Sequence, residues 1–257
     1  MDAATRSAWR AALCETDPQA KCAHVAALRS SGMAAVADDA RPVPGRPAKP
    51  ALIHPRDVPS RGLGSVAGRI ALLHAVAHIE FNAVNLALDA GWRFAGMPDA
   101  FYADWLGVAQ DEARHFAMLR ARLQALGAEY GDLPAHNGLW EAAESTAHDV
   151  LLRMALVPCV LEARGLDVTP GIMRRLREVG DLDSVAVLEV ILREEVGHVA
   201  IGTRWFRYLC AQRGLEPVAT FGALLHEHRV TLRAPLNLEA RRAAGFDEAE
   251  LALARVT

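Results

Sequence analysis

The sequence predicts an all-α protein built around four long helices, and three observations carry that expectation. Glycine and proline interrupt the chain at intervals that leave helix-length segments between them. No segment shows sustained apolar–polar alternation rich in β-branched residues. Two of the long segments carry the same motif, Glu-x-x-His, whose ends share one face of a helix.

Residues 1 to about 36 are alanine-rich with helical character. The stretch from Asp38 to Leu63 contains Pro42, Pro44, Pro47, Pro50, Pro55 and Pro59 and reads as an extended connector. Ser65 is a suitable N-cap for a first long helix running to about Ala90, with Gly91 as its stop. Gly96-Met97-Pro98 restarts the chain, and a second long helix runs to Leu126-Gly127. A third is expected from Asn137 to Arg164-Gly165, kinked at Pro158. Thr169-Pro170 reads as the cap and first position of a short helix, and Gly180-Asp181 precedes a fourth long helix ending at Arg213-Gly214. Two further helices are expected near 217–233 and 247–256. The organisation is therefore an N-terminal helical segment and connector (1–64), a four-helix body (65–215) and a C-terminal helical extension (216–257).

The 257 residues are 52% hydrophobic, ample for a large core. With 28 Lys+Arg against 31 Asp+Glu, the chain has no electrostatic footprint for nucleic acid or an anionic membrane. The N-terminus, acidic at Asp2 and without an early apolar run, lacks the pattern of a secretory signal, so the expected location is the cytoplasm. The most apolar stretches, Ile70 to Ala77 and Ala155 to Leu161, fall short of the about 20 residues a membrane span requires, so no such span is expected. Cys14, Cys22, Cys159 and Cys210 form no CxxC pair, which removes zinc-ribbon, rubredoxin-type and thioredoxin-type readings and leaves reduced packing residues.

The chemistry resides in six residues. The second and fourth long helices contain Glu112-Ala113-Arg114-His115 and Glu195-Val196-Gly197-His198. The first and third each contain a single acid in an apolar run: Glu80 between Ile70 and Leu88, and Glu162 between Val150 and Leu166. A carboxylate on a core-facing surface is costly unless paired or bound to a metal. Thirty-two residues separate Glu80 from Glu112 and thirty-three separate Glu162 from Glu195, as in a duplicated helix pair. One Glu from each of two helices and Glu-x-x-His from each of the other two is the ligand pattern of di-iron and di-manganese carboxylate bundles. Four carboxylates balance two divalent ions while both imidazoles stay neutral, and hard oxygens mixed with imidazole suit Fe or Mn.

On these residues the chain resembles the ferritin-like superfamily, and within it an uncharacterised bacterial family of about this length whose first metal helix carries His-Ile-Glu, here His78-Ile79-Glu80. The resemblance covers about residues 65 to 215. It implies a ferritin-like four-helix bundle with a long crossover and the ligand set Glu80, Glu112, His115, Glu162, Glu195 and His198. Relatives in the superfamily include iron-storage ferroxidases, rubrerythrins, manganese catalases, ribonucleotide reductase subunits and hydroxylases, so the resemblance implies no single reaction.

Asp111 and Glu194 precede the two motifs and are candidates for orienting the ligand histidines. His74 and His78 lie about 120° and 160° from Glu80 around the helix and read as packing residues, while His148, about 21 Å from Glu162 along a regular helix, is too far to ligate. Trp105, Trp205 and Tyr208 read as core aromatics, and Val76, Val84, Pro158, Cys159 and Ile191 surround the Glu ligands with mostly apolar surface. His226 and His228 point in different directions and cannot chelate one ion.

The leading functional expectation is an oxidoreductase with two Fe ions, or Mn or mixed Fe/Mn, that activates O2 or peroxide and acts on an unidentified small-molecule substrate. The alternative is an iron-binding or storage ferroxidase without an organic substrate. A peroxidase like rubrerythrin or a manganese catalase is a third reading, and without CxxC pairs the peroxidase requires a separate electron donor. About 60 residues before the body and about 40 after it favour a monomer or dimer over a storage cage.

Overall fold

A computed structural model describes residues 3–29, 43–58 and 62–253, and the chain divides into two compact units, Met1–Glu141 and Ala142–Thr257. The described residues are helical apart from loops and one isolated β-bridge between Leu52 and Ala135. The all-α expectation holds.

The first unit contains α1 (Ala3–Leu13), α2 (Pro18–Ala27), α3 (Val66–Arg93) and α4 (Asp99–Ala125). The Asp17 carboxylate accepts from Ala20 N at 2.7 Å and Pro18 takes the first turn, so α2 starts with its cap satisfied. Ser65 caps α3 as expected, accepting from Gly68 N at 3.1 Å. Gly91 does not end α3. It lies inside the helix because a Cβ there would stand 2.0 Å from the ring of Trp9 on α1, so glycine is required for packing rather than for termination. The link to α4 is short, which makes α3 and α4 an antiparallel pair, and Tyr102 fixes it by donating to Phe94 O at 3.0 Å and accepting from Met97 N at 3.1 Å.

Helix α3 corrects the reading that every apolar stretch is too short to span a membrane. By length and composition it is long and apolar enough, but most of its apolar stretch is buried inside the protein. The helix is a core helix whose buried residues include Glu80, Asn82, Asn85 and Asp89.

The proline-rich connector is tied to this unit where it is described, while Pro42 and Pro59 lie outside the described residues. Lys21, fully buried, donates to Leu13 O at 3.1 Å, Gly45 O at 2.9 Å and Asn85 Oδ1 at 2.5 Å, joining α1, the connector and α3. Ile53 N donates to Ala135 O and Ala135 N to Ala51 O.

The unit boundary falls within α5 (Gly138–Ser145). Beyond it come α6 (Val150–Leu156), a π-helical turn (Val157–Glu162), α7 (Ala163–Glu178), α8 (Leu182–Gln212), α9 (Pro217–Glu227), α10 (Leu238–Ala243) and α11 (Glu248–Ala252). The expected third helix is corrected at both ends. Its start breaks where Asp149 caps Leu151 N at 2.9 Å and pairs with Arg213, the residue that follows α8, at 2.6 and 2.8 Å. Its end does not come at Gly165, and Thr169-Pro170 does not begin a new helix, because α7 continues through Pro170 to Glu178. A proline at this position frees the carbonyl of Leu166, and Asn237 Nδ2 donates to that carbonyl at 3.1 Å. Gly180, at φ +74, ends the rod, and Asp181 caps α8. The two terminal helices are shorter than expected, with α10 between them, and residues after 253 lie outside the described residues.

Pro158 supports the π-helical turn by direct packing. A Cβ on Gly202 of α8 would lie 2.3 Å from Pro158 Cβ, so the approach requires glycine. Gly202→Ala is expected to lower stability by about 1–3 kcal/mol in urea unfolding; an unchanged midpoint would mean that the two elements are not in close contact.

Lys21 gives a pH test. Burial first, then the Arg46 charge, pull its ammonium from the ordinary 10.5 to about 7. Between those values the unfolded chain holds one more proton than the folded one, so stability from this group rises with pH across the window. Wild type should therefore gain stability relative to Lys21→Met as pH goes from 7 to 10 in denaturant titrations, and parallel curves would contradict the burial.

Candidate metal centre

In the first unit, α3 places Glu80 and α4 places Glu112 and His115 one helical turn apart. His115 Nδ1 lies 3.2 Å from Glu80 Oε2 and 3.4 Å from Glu112 Oε2, and ligand atoms of all three residues fall within 4.8 Å of one another. Their exposures are 4%, 1% and 0%, so two carboxylates and one imidazole meet away from water.

The protonation behaviour follows from that burial. Desolvation, then the neighbouring Glu112 charge, push Glu80 up to about 8. Burial alone would lower His115, but its hydrogen bonds to Glu112 and Glu80 outweigh it and raise it to about 10. The cluster satisfies itself by holding protons among its own members. Hard oxygen donors beside an imidazole nitrogen, within one coordination sphere's reach, fit a divalent first-row ion that would take the place of those protons.

The second unit presents the other predicted ligands. Glu195 and His198 lie on α8, with His198 Nδ1 3.3 Å from Glu195 Oε1, and His198 is 3% exposed. Glu162 is the last residue of the π-helical turn and is half-buried. Such turns are rare and concentrate at functional sites, since one extra residue per turn re-aims the side chains that follow. Burial pushes the thiol of Cys159, one turn earlier, up to about 12, and its Sγ lies 3.8 Å from Thr203 Oγ1. Each unit thus brings together its own Glu-x-x-His pair, and the first adds Glu80 to it.

The two histidines flanking Glu80 have structural partners. His74 Nε2 accepts from Gly131 N at 2.9 Å. His78 Nε2 lies 3.1 Å from His136 O and 3.0 Å from Asn82 Nδ2, and its Nδ1 lies 2.9 Å from Tyr130 OH. Burial pushes His78 down to about 4, so it is a neutral packing residue, as the helix geometry implied. Tyr130 stacks on His74 at 5.4 Å and meets Phe116 edge-on at 4.9 Å, which locks the loop after α4 onto α3. Sequence reading missed Tyr130 and Lys21, and no local signal marks them, because their roles depend on partners more than 50 residues away or in the connector.

Of the two residues expected to orient the histidines, Asp111 is 40% exposed and pairs with Arg114 at 2.6 Å, and Glu194 lies 3.5 Å from Arg193. Trp105 and Trp205 are buried, the latter against Tyr208 at 5.2 Å. Val84, Pro158, Cys159 and Ile191 are buried and Val76 is half-buried. His148 is exposed in the turn before α6, and His226 and His228 lie at the end of α9.

The sequence profile of a family described as "Protein of unknown function (DUF455)" matches residues 14–252. An uncharacterized protein of Haemophilus influenzae is 48% identical over 213 residues, which cover 80% of this chain and 74% of that one. No solved structure gives a significant match.

Removing the Tyr130 hydroxyl separates the packing histidines from the ligands. Tyr130→Phe leaves His78 Nδ1 buried without its hydrogen-bond partner and should lower stability by about 1–3 kcal/mol in thermal or denaturant unfolding, with metal uptake unchanged. Loss of metal uptake in this variant would instead place His78 in the centre.

Proposed function

This chain belongs to the DUF455 family, and we propose that its two Glu-x-x-His half-sites close, with Glu80 and Glu162, into one ferritin-like di-metal centre serving an O2- or peroxide-dependent oxidoreductase. The observation that carries the reading is the buried meeting of Glu80, Glu112 and His115, whose carboxylates are costly to bury unless protons or a cation neutralise them and whose oxygen and nitrogen donors suit a cation.

Three further features support it. The second unit repeats the motif with Glu195 and His198 paired at 3.3 Å. Glu162 lies at almost the same interval before Glu195 as Glu80 does before Glu112. It also ends a π-helical turn, the kind of local distortion found at functional sites.

In this reading Glu80, Glu112, His115, Glu162, Glu195 and His198 hold two Fe ions, with Mn or a mixed pair meeting the same donor preference. Iron so bound would supply the electrons that reduce O2 or peroxide. The chain's own contribution is to fix the donors on rigid helices and to exclude water with Val84, Cys159 and Ile191. An unidentified small-molecule substrate and a separate electron donor complete the proposal, the latter because the chain has no CxxC pair for a fused iron–sulfur donor.

The test is O2 uptake by the full chain after anaerobic loading with Fe(II). Wild type should consume O2 rapidly, and Glu112→Ala and Glu195→Ala should each reduce the rate tenfold or more, since each removes a donor from the same centre. Unchanged uptake in either variant would contradict a shared site. Iron uptake far beyond about two ions per chain would point to storage instead.

A further inference from the structure

The second unit contains a pocket that the metal chemistry does not use. It encloses about 330 Å3, within the range of small-molecule sites. Four arginines line it from three separate places: Arg164 on α7, Arg229 and Arg233 on the loop after α9, and Arg241 on α10. Its apolar wall comes from Val160 and Leu161 of the π-helical turn and from Leu232.

We propose that this pocket binds a small organic anion bearing a phosphate or carboxylate group. The charge balance favours a partner of that sign. Among the described residues, the acid in contact with these arginines is Asp167, which accepts from Arg241 Nε at 2.9 Å and Nη2 at 2.7 Å and lies 3.6 Å from Arg164. One carboxylate thus serves Arg241 and Arg164, and the exposed side chains of Arg229 and Arg233, on the pocket's lining loop, have no acidic partner among the described residues.

The donor geometry points the same way. Arg241 is 1% exposed, and its remaining nitrogen, Nη1, is buried without a hydrogen-bond partner. A guanidinium has five donors in a fixed fork, and Asp167 engages only one edge of Arg241, which leaves a desolvated, charged donor for an anion's oxygen.

The pocket is also held in shape before any ligand arrives. Arg164 donates to Arg233 O at 2.7 Å and to Pro235 O at 3.3 Å, so the loop is tied to α7 by one of the pocket's own arginines. Asn237 closes the loop's far end by donating from its backbone N to Asp167 at 2.9 Å and from its side chain to Leu166 O at 3.1 Å. Arg229 takes φ 53, a left-handed conformation uncommon for a residue with a side chain. A preformed cationic recess with an apolar wall suits an anion with a short carbon skeleton.

The experiment is calorimetric titration of the metal-free full chain with inorganic phosphate and, separately, with succinate, at constant ionic strength set by chloride. Saturable binding of at least one probe is expected, and which one binds assigns the ligand's anionic group. The double variant Arg229→Gln/Arg233→Gln changes only exposed side chains and should keep the wild-type circular dichroism and melting temperature while weakening binding tenfold or more. Absence of saturable binding for both probes, or equal affinity in the variant, would overturn the proposal. Neither outcome bears on the metal centre, whose ligands the variant leaves in place.

Discussion

The constraint on which the first unit depends is the burial of Glu80 and Glu112 beside His115. A core that closes over two carboxylates must supply either protons or a cation, and burial that raises Glu80 and hydrogen bonds that raise His115 favour protons there when no cation is bound. The surrounding architecture makes that expense possible. Trp9 fills the space above Gly91, Lys21 joins α1 and α3 to the connector, and the Tyr130 cluster holds the following loop down on α3. Such packing stabilises the unit enough to hold a costly cluster in a fixed geometry, as functional sites require.

The second unit addresses a different problem with the same logic. Its Glu162 stands on a helical rod containing two prolines, and each proline leaves the backbone with a local deficit. Pro170 frees a carbonyl that Asn237 occupies, and Pro158 lies in the π-helical turn and packs against Gly202. The side chains that repair the rod also shape the arginine pocket, since Asn237 and Asp167 anchor the loop on which Arg229 and Arg233 stand. Local repair and ligand recognition thus share residues in this unit.

Much of this was legible in the chain alone where the cause is local. Ser65 as a cap, the stop at Gly180 and the shared face of Glu112 and His115 follow from helix geometry, and the solitary acids Glu80 and Glu162 stand out against apolar neighbours. The misreadings arose where a distant partner overrides a local signal. Gly91 reads as a stop until Trp9 is seen against it, and Pro170 reads as a start until Asn237 is found on the freed carbonyl. The break at Asp149 depends on Arg213, more than 60 residues away. The arginine pocket was invisible for the same reason: its four cations are dispersed across 78 residues of a chain that is acidic overall.

The measurement that bears most directly on the central claim is metal content by mass spectrometry after anaerobic Fe(II) loading and desalting, for wild type and Glu80→Ala. The account predicts about two ions per chain in wild type and a clear loss in the variant, because Glu80 is the carboxylate that α3 contributes to the buried cluster. Little metal in wild type, or the same content in both proteins, would mean that Glu80, Glu112 and His115 form a protonated structural cluster and that the site holds no metal.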